Sequence, residues 1–141
     1  MANKAGVVIL ACIQAVPEPR DLQTSLREQG VTARVVTEPC SSKVEAYQLL
    51  RLLANGADLV WVIGCPEDRC RLAEGSTRMG FRVGYAQEYL QEIGLKPERL
   101  GYSRLVAEDQ AALATVVATL VQRRQQLGAK FGAAAKGQKE R

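Results

Sequence analysis

Short apolar runs alternate along the chain with segments in which apolar residues recur every three or four positions. The apolar runs predict four β-strands, at residues 7–10, 31–37, 59–63 and 100–106. The amphipathic segments predict four α-helices, at residues 20–29, 42–56, 76–94 and 109–128. One helix follows each strand, which is the pattern of repeated βα units.

Four such units predict an α/β fold with a small, doubly wound, mainly parallel four-stranded sheet of the flavodoxin-like or Rossmann-like type. We expect the strand order 2-1-3-4, with a crevice between the first and third strands. The third strand is uniformly apolar, as expected for a strand covered on both faces. The second strand mixes Thr32 and Arg34 with apolar residues, which predicts a position at the edge of the sheet.

Local signals predict where two of the helices begin. Ser42 and Glu45 have the spacing of a capping box, so the second helix is expected to be capped at Ser42. The fourth helix is expected to begin near Asp109. The third contains Gly80 and Gly84, which would allow close packing against another backbone.

All four cysteines of the chain follow predicted strands. Cys12 follows the first strand, Cys40 the second and Cys65 the third, and Cys70 lies five residues further along the same loop. In an open parallel sheet, residues just past the carboxyl ends of the strands meet at one edge. The sequence therefore predicts a metal site at this edge. The chain has no histidine, so we expect its ligands to be thiolates alone.

An iron–sulfur centre fits this set of residues. Cys65 and Cys70 have the C-x4-C spacing used in some [2Fe-2S] proteins, and Cys12 and Cys40 would complete four thiolates. Positive charge near the sulfurs would stabilise the more negative reduced cluster. Three arginines in or after the loop are candidates for this cofactor-binding role: Arg71, Arg78 and Arg82.

Three other interpretations use the same residues. Cysteine is often a small buried core residue with no ligand role, and Cys12 suits that description. Four thiolates could hold structural zinc, but the chain has no pair of C-x2-C knuckles. Cys65 and Arg71 also have the C-x5-R spacing of cysteine phosphatases. Pro66 would remove one amide from such a phosphate-binding loop, and the two acids that follow it would repel the phosphate.

Length and charge limit the other possibilities. With 141 residues the chain suits one domain, at residues 1–128, followed by a basic, disordered tail at residues 129–141. The net charge is +4, of which the tail carries +3 through four basic residues and one acidic residue, which leaves +1 for the domain. No basic stripe with interleaved aromatic residues is present, so we expect no nucleic acid partner.

No apolar stretch is long enough to span a bilayer, so membrane insertion is not expected. The apolar segment before Cys12 is also too short for a secretory signal. We therefore expect an unprocessed, cytoplasmic protein, and cysteines in the cytosol are more often ligands or catalysts than disulfides.

Several short runs resemble the methyl-viologen-reducing hydrogenase delta-subunit family, also called the hydrogenase iron–sulfur subunit. They are Cys40-Ser41-Ser42-Lys43-Val44, Gly56-Ala57-Asp58, Gly64-Cys65-x4-Cys70-Arg71, Glu74-Gly75-Ser76 with Arg78, and the run from Ile93 to Leu100. The resemblance extends over about residues 7–127. Where the family has C-x2-C, this chain has Cys12-Ile13-Gln14-Ala15.

The resemblance implies a subunit that is not catalytic alone and that carries a [2Fe-2S] cluster on Cys12, Cys40, Cys65 and Cys70. Such subunits relay electrons between a hydrogenase or formate dehydrogenase and a heterodisulfide-reductase-type flavoprotein. Two alternatives stay open. The chain could be a metal-free assembly or docking subunit of such a complex, or a cysteine phosphatase-like enzyme that uses Cys65 and Arg71.

Overall fold

The computed structural model describes residues 6–38, 44–65, 75–106 and 109–127. Within these ranges strands and helices alternate from the first residue to the last. The elements are β1 (Val7–Cys12), α1 (Pro19–Glu28), β2 (Ala33–Glu38), α2 (Ala46–Ala54), β3 (Leu59–Gly64), α3 (Gly75–Glu92), a short 3-10 turn (Pro97–Arg99), β4 (Leu100–Arg104) and α4 (Gln110–Leu127).

The four strands form one parallel sheet in the order β2-β1-β3-β4, which confirms the predicted α/β fold and strand order. Val7 of β1 is in register with Ala33 of β2 on one side and Leu59 of β3 on the other. The two strands of mixed polarity, β2 and β4, lie at the edges, whereas β1 and β3 are buried along their whole length. Strand polarity therefore predicted strand position correctly.

The helices cover both faces of the sheet in pairs. One buried cluster joins alternate residues of β1 and β3 to apolar residues of α1 and α4, among them Leu22, Leu26, Val117 and Leu120. A second cluster joins the other residues of the same strands to α2 and α3, through Leu49, Leu53, Met79, Val83 and Leu90. Each strand thus contributes to two cores, because successive side chains point to opposite faces.

The start of α2 differs from the prediction. The helix begins at Ala46 with Glu45 as its N-cap, and the backbone of Glu45 is extended. The amide of Glu45 donates a hydrogen bond of 2.6 Å to Oε1 of Gln48, so the capping box is formed by Glu45 and Gln48. Ser42 lies outside the described residues. The same sequence spacing occurs twice here, and the helix uses the second occurrence.

The predicted start of α4 near Asp109 is confirmed, since the helix begins at Gln110. Oδ1 of Asp109 accepts a hydrogen bond of 2.9 Å from the amide of Ala112, three residues on. The close packing against another backbone that was expected for the glycines of α3 is not found among the described residues. A Cβ on Gly80 would lie 3.4 Å from the Arg104 guanidinium and 3.6 Å from the Tyr102 ring, which are side chains and not backbone. No described atom lies within 4 Å of the corresponding position at Gly84.

Arg99 is the one buried charged side chain among the described residues, and it lies at the amino-terminal edge of the sheet. Its guanidinium donates to the carbonyl oxygens of Asp58 at 3.0 Å and Leu127 at 3.2 Å. Burial lowers the pKa of Arg99, and the nearby carboxylate of Asp58 opposes that shift. Arg99 therefore ties the end of α4 to the start of β3, far from the cysteine-bearing edge.

Candidate functional site

Two of the predicted ligands, Cys12 and Cys65, lie at the carboxyl edge of the sheet. The last residues that pair between β1 and β3 are Ala11 and Ile63, so Cys12 lies one position beyond this pair and Cys65 two positions beyond it. Cys12 is also in register with Glu38, the last residue of β2. The edge predicted from strand direction is thus the edge where these two cysteines are found.

Both thiols are buried, and they belong to the same cluster. Cys12 is 1% exposed and Cys65 is 6% exposed. Their neighbours in that cluster are apolar residues of the α1 and α4 side of the sheet, including Ala15, Val16 and Leu105. A metal bound here would therefore have a low-dielectric surrounding on its protein side, which is one of the factors that set a cluster's reduction potential.

Backbone hydrogen bonds fix the strand ends that carry the two cysteines. After Cys12 the chain turns, and the carbonyl oxygen of Cys12 accepts bonds of 2.9 Å from the amides of both Ala15 and Val16. The amide of Ile13 donates to Glu38 at 2.8 Å, and the amide of Leu105 donates to Gly64 at 2.8 Å. These bonds extend the pairing one residue past each strand, so the positions of Cys12 and Cys65 are set by the sheet.

The other predicted ligands, Cys40 and Cys70, lie outside the described residues, as does Arg71. Within residues 6–38, 44–65, 75–106 and 109–127, no group of three or more cysteine and acidic residues is placed to hold a metal ion. This finding covers only two of the four cysteines. The phosphatase alternative also depends on residues outside the described ranges, apart from Cys65, whose burial does not suit a nucleophile that must meet a phosphate ester.

Arg82 contacts the segment that follows Cys40. Its Nη1 donates a hydrogen bond of 2.9 Å to the carbonyl oxygen of Val44, and its Nε lies 3.8 Å from Oε1 of Glu45. Arg78 lies one turn earlier on α3 and is exposed. The side chain of Arg82 therefore links α3 to the start of α2, a contact that was not predicted from the sequence.

No helix in the described part of the chain combines the length and apolar character that crossing a membrane requires.

Comparison with known proteins identifies relatives of the whole domain. The family model described as methyl-viologen-reducing hydrogenase, delta subunit, matches residues 7–128. The F420-non-reducing hydrogenase iron-sulfur subunit of Archaeoglobus profundus is 35% identical over 96 residues, which are 67% of this chain and 70% of the relative. The F420-non-reducing hydrogenase vhu iron-sulfur subunit of Methanopyrus kandleri is 28% identical over 129 residues, covering 91% of this chain and 98% of the relative.

A different kind of relative contains the match as a small part. One subunit of the ferredoxin:CoB-CoM heterodisulfide reductase of Methanosarcina mazei is 30% identical over 95 residues, which are 67% of this chain but only 12% of that protein. We call relatives of this kind the long reductase subunits. A unit similar to this domain thus occurs both as one segment of a much longer chain and as a separate hydrogenase subunit.

Proposed function

Since this chain belongs to the methyl-viologen-reducing hydrogenase delta-subunit family, we propose that it is an iron–sulfur electron-transfer subunit. In this proposal a [2Fe-2S] cluster on Cys12, Cys40, Cys65 and Cys70 relays electrons from a hydrogenase or formate dehydrogenase to a heterodisulfide-reductase-type flavoprotein. The chain would not convert a substrate by itself, and it would work in the cytoplasm. Bound to these thiolates, the cluster would supply one-electron redox chemistry.

The observation that carries this proposal is the meeting of Cys12 and Cys65 at one edge of the sheet. They come from positions 53 residues apart in the sequence, yet they share one buried cluster at the ends of neighbouring strands. Iron–sulfur clusters are bound mainly by cysteine thiolates. The chain has no histidine, so no imidazole nitrogen is available as a ligand. The residues present therefore suit the proposed cluster.

The short separation between Glu38 and Cys40 in the sequence supports Cys40 as a ligand of the cluster. Cys40 follows Glu38 by two residues, and at about 3.8 Å per residue its Cα can lie no more than roughly 8 Å from that of Glu38. Glu38 is itself in register with Cys12. Cys70 follows Cys65 by only five residues in the sequence, so in this proposal all four thiols would lie near the same edge of the sheet.

The arginines would act on the charge and on the position of the ligands. Arg78, on the surface of α3, and Arg71 would offset the negative charge that the thiolates and sulfides concentrate at this edge. Arg82 would hold the segment that connects Cys40 to α2, through the bond to Val44. The cofactor-binding role predicted for Arg82 would therefore be that of a positioning residue, acting through Val44.

The partner classes come from the names of the relatives. The shorter relatives are named as iron-sulfur subunits of F420-non-reducing hydrogenases, and the long reductase subunits are named as parts of CoB-CoM heterodisulfide reductases. We therefore propose hydrogenase subunits and a long reductase subunit as the partners of this chain. Formate dehydrogenase is a further proposed donor, on the family resemblance alone.

Anaerobic purification tests the cluster. We expect about two iron and two sulfide per chain, a visible chromophore, and an EPR signal that appears on reduction and integrates to about one spin. Cys65→Ser should lose at least half of the iron, whereas Thr24→Ser, an exposed change on α1, should retain all of it. A colourless protein without iron, isolated from its own organism under these conditions, would refute the relay.

One observation favours a second candidate, the metal-free docking subunit. Position 15, where the family has the second cysteine of its pair, holds a buried alanine that is 2% exposed. This candidate predicts that the complex assembles equally well when Cys65 is changed to serine. Loss of assembly or of cluster content in that variant would contradict it and support the relay.

A further inference from the structure

Large apolar side chains are exposed unevenly over the described surface. Those that remain exposed are Ile13, Tyr47, Phe81, Tyr85, Tyr89 and Ile93. Five of these six lie on α2, on α3 or directly after α3, and Ile13 follows Cys12 at the carboxyl edge. In the described parts of α1 and α4, no large apolar side chain is exposed in this way. The two helical layers of the domain therefore differ in what they present to their surroundings.

The exposed residues of α3 form a stripe along one side of the helix. Phe81, Tyr85 and Tyr89 recur every four residues and are 75%, 65% and 46% exposed. The side of α3 that packs on the sheet is a different one, made of Met79, Val83, Ala86 and Leu90. The stripe is thus not the packing face of an amphipathic helix, which is the usual reason for such spacing.

Tyr47 of α2 extends the stripe to a second helix. It is 56% exposed and lines, with Tyr89, Ile93 and Leu50, a shallow groove of about 430 Å³ between α2 and α3. We call Tyr47, Phe81, Tyr85 and Tyr89 the aromatic face. At roughly 200 Å² for a fully exposed aromatic side chain, their exposed fractions amount to on the order of 500 Å², more than half of what one partner contributes to a standard interface.

Arginines border the aromatic face at two places. The guanidinium of Arg51 lies 5.6 Å from the centroid of the Tyr47 ring. Arg78 is exposed and lies three residues before Phe81. Tyrosine, phenylalanine and arginine are the residue types enriched at protein interfaces, and arginine and tyrosine often contribute most of the binding free energy. The complementary surface would be apolar at its centre and acidic opposite the two arginines.

We infer that the aromatic face is the surface by which this chain docks on the long reductase subunit of its complex, an inference that rests on the proposed function. Two relatives of that kind carry segments that match 67% and 48% of this chain and make up 12% and 8% of their own sequences. In such a protein the matched segment is covalently joined to the rest of the chain. The rest of a long reductase subunit is therefore the partner that we expect this domain to contact. Because α3 begins five residues after Cys70, docking on α3 would bring that partner beside the cysteine-bearing edge.

The test measures the affinity of the full-length, cluster-loaded chain for the purified long reductase subunit of the same organism. We expect Phe81→Glu with Tyr85→Glu to raise the dissociation constant at least tenfold. The control, Ala111→Glu with Thr115→Glu, makes the same change of charge at two exposed positions one turn apart on α4, and it should change the constant less than twofold. Phe81→Ser introduces no charge and should raise the dissociation constant at least threefold. This variant checks that the effect of the double variant does not come from a disturbance of the whole of α3.

Cluster content and the EPR spectrum separate this inference from the proposed function. Unchanged affinity in the Phe81 and Tyr85 variants, with a normal EPR spectrum, would overturn the docking surface and leave the relay intact. A wild-type dimer that these variants convert to monomers, with unchanged affinity for the long reductase subunit, would overturn it in favour of self-association. Loss of affinity confined to the aromatic-face variants, with iron content equal to that of the control, would support it.

Discussion

Trp61 of β3 and Gly101 of β4 face each other across the parallel sheet, and the indole ring occupies the space where a side chain on residue 101 would begin. The two residues are in register, and a Cβ built on Gly101 would overlap the six-membered ring of Trp61. The ring is held there by a hydrogen bond of 2.9 Å from its Nε1 to Oγ of Ser103 and by the guanidinium of Arg123, 5.0 Å from its centroid. Glycine at position 101 is therefore required by the position of the tryptophan.

Gly101→Ala should destabilise the domain. The methyl group can be accommodated only if the indole or the strand moves, and overpacking of a well-packed core costs roughly 1–3 kcal/mol. Urea unfolding followed by the fluorescence of Trp61, the only tryptophan, would measure the loss and report any shift of the ring. The double variant with Trp61→Phe should recover part of the stability, and its unfolding would be followed by circular dichroism because it has no tryptophan. A Gly101→Ala protein as stable as the wild type would contradict the described contact.

Gly84→Ala should have the opposite effect. Gly84 lies inside α3, and no described atom lies within 4 Å of the position its Cβ would take. Glycine within a helix is about 1 kcal/mol less favourable than alanine, so we expect the free energy of unfolding to rise by about 0.5–1 kcal/mol. Thermal and urea unfolding would show it. A decrease would mean that this position is more crowded than the described residues indicate.

Patterns local in the sequence were sufficient to predict the strands, the helices and their order. The position of a strand in the sheet determines how much of it is buried, and burial determines its polarity. The central strand β3 is therefore uniformly apolar, whereas the edge strands β2 and β4 have mixed polarity. The cap of α2 was predicted wrongly because the capping-box spacing occurs twice, as Ser42 with Glu45 and as Glu45 with Gln48, and the helix uses the second although serine is the commoner N-cap residue. The hydrogen bond from Arg82 to Val44, just before this cap, joins α3 to the start of α2 and is not visible in any local pattern of the sequence.

The candidate site was predictable only in part for a related reason. Strand direction was sufficient to predict that Cys12 and Cys65 would meet at one edge, because all strand ends of a parallel sheet meet there. The aromatic face was not predicted, although the spacing of Phe81, Tyr85 and Tyr89 is visible in the sequence. Helical spacing alone favours a buried face, and only the packing of other α3 residues on the sheet reveals that the aromatic side is the outer one.

Arg82→Gln should weaken the junction between α3 and α2. The variant loses the hydrogen bond to Val44, and a hydrogen bond from a partly exposed charged donor contributes about 1 kcal/mol. Glu45 is more than half exposed and its ion pair with Arg82 spans 3.8 Å, so Glu45→Gln should change the free energy of unfolding by less than about 0.5 kcal/mol. Urea unfolding of both variants would measure the difference, and equal losses in the two would contradict it.

The same pair of variants tests the positioning role of Arg82. If the bond to Val44 helps to hold the segment that carries Cys40, Arg82→Gln should release iron to a chelator several times faster than the wild type. Glu45→Gln should release it at the wild-type rate. Equal rates in all three proteins, despite a loss of stability in Arg82→Gln, would limit the role of Arg82 to folding.

The turn after Cys12 offers a test of whether this cysteine is a ligand. Cys12→Ser should lose at least half of the bound iron, and a full complement of iron would contradict its ligand role.

Ala15 is buried in the same cluster as Cys12, and its amide donates to the carbonyl oxygen of Cys12. Cysteines at the two ends of such a C-x2-C turn can bind one metal. Adding Ala15→Cys to Cys12→Ser should therefore restore iron, although the larger side chain costs about 1 kcal/mol of stability. Gln14→Cys, an exposed neighbour, should not restore it.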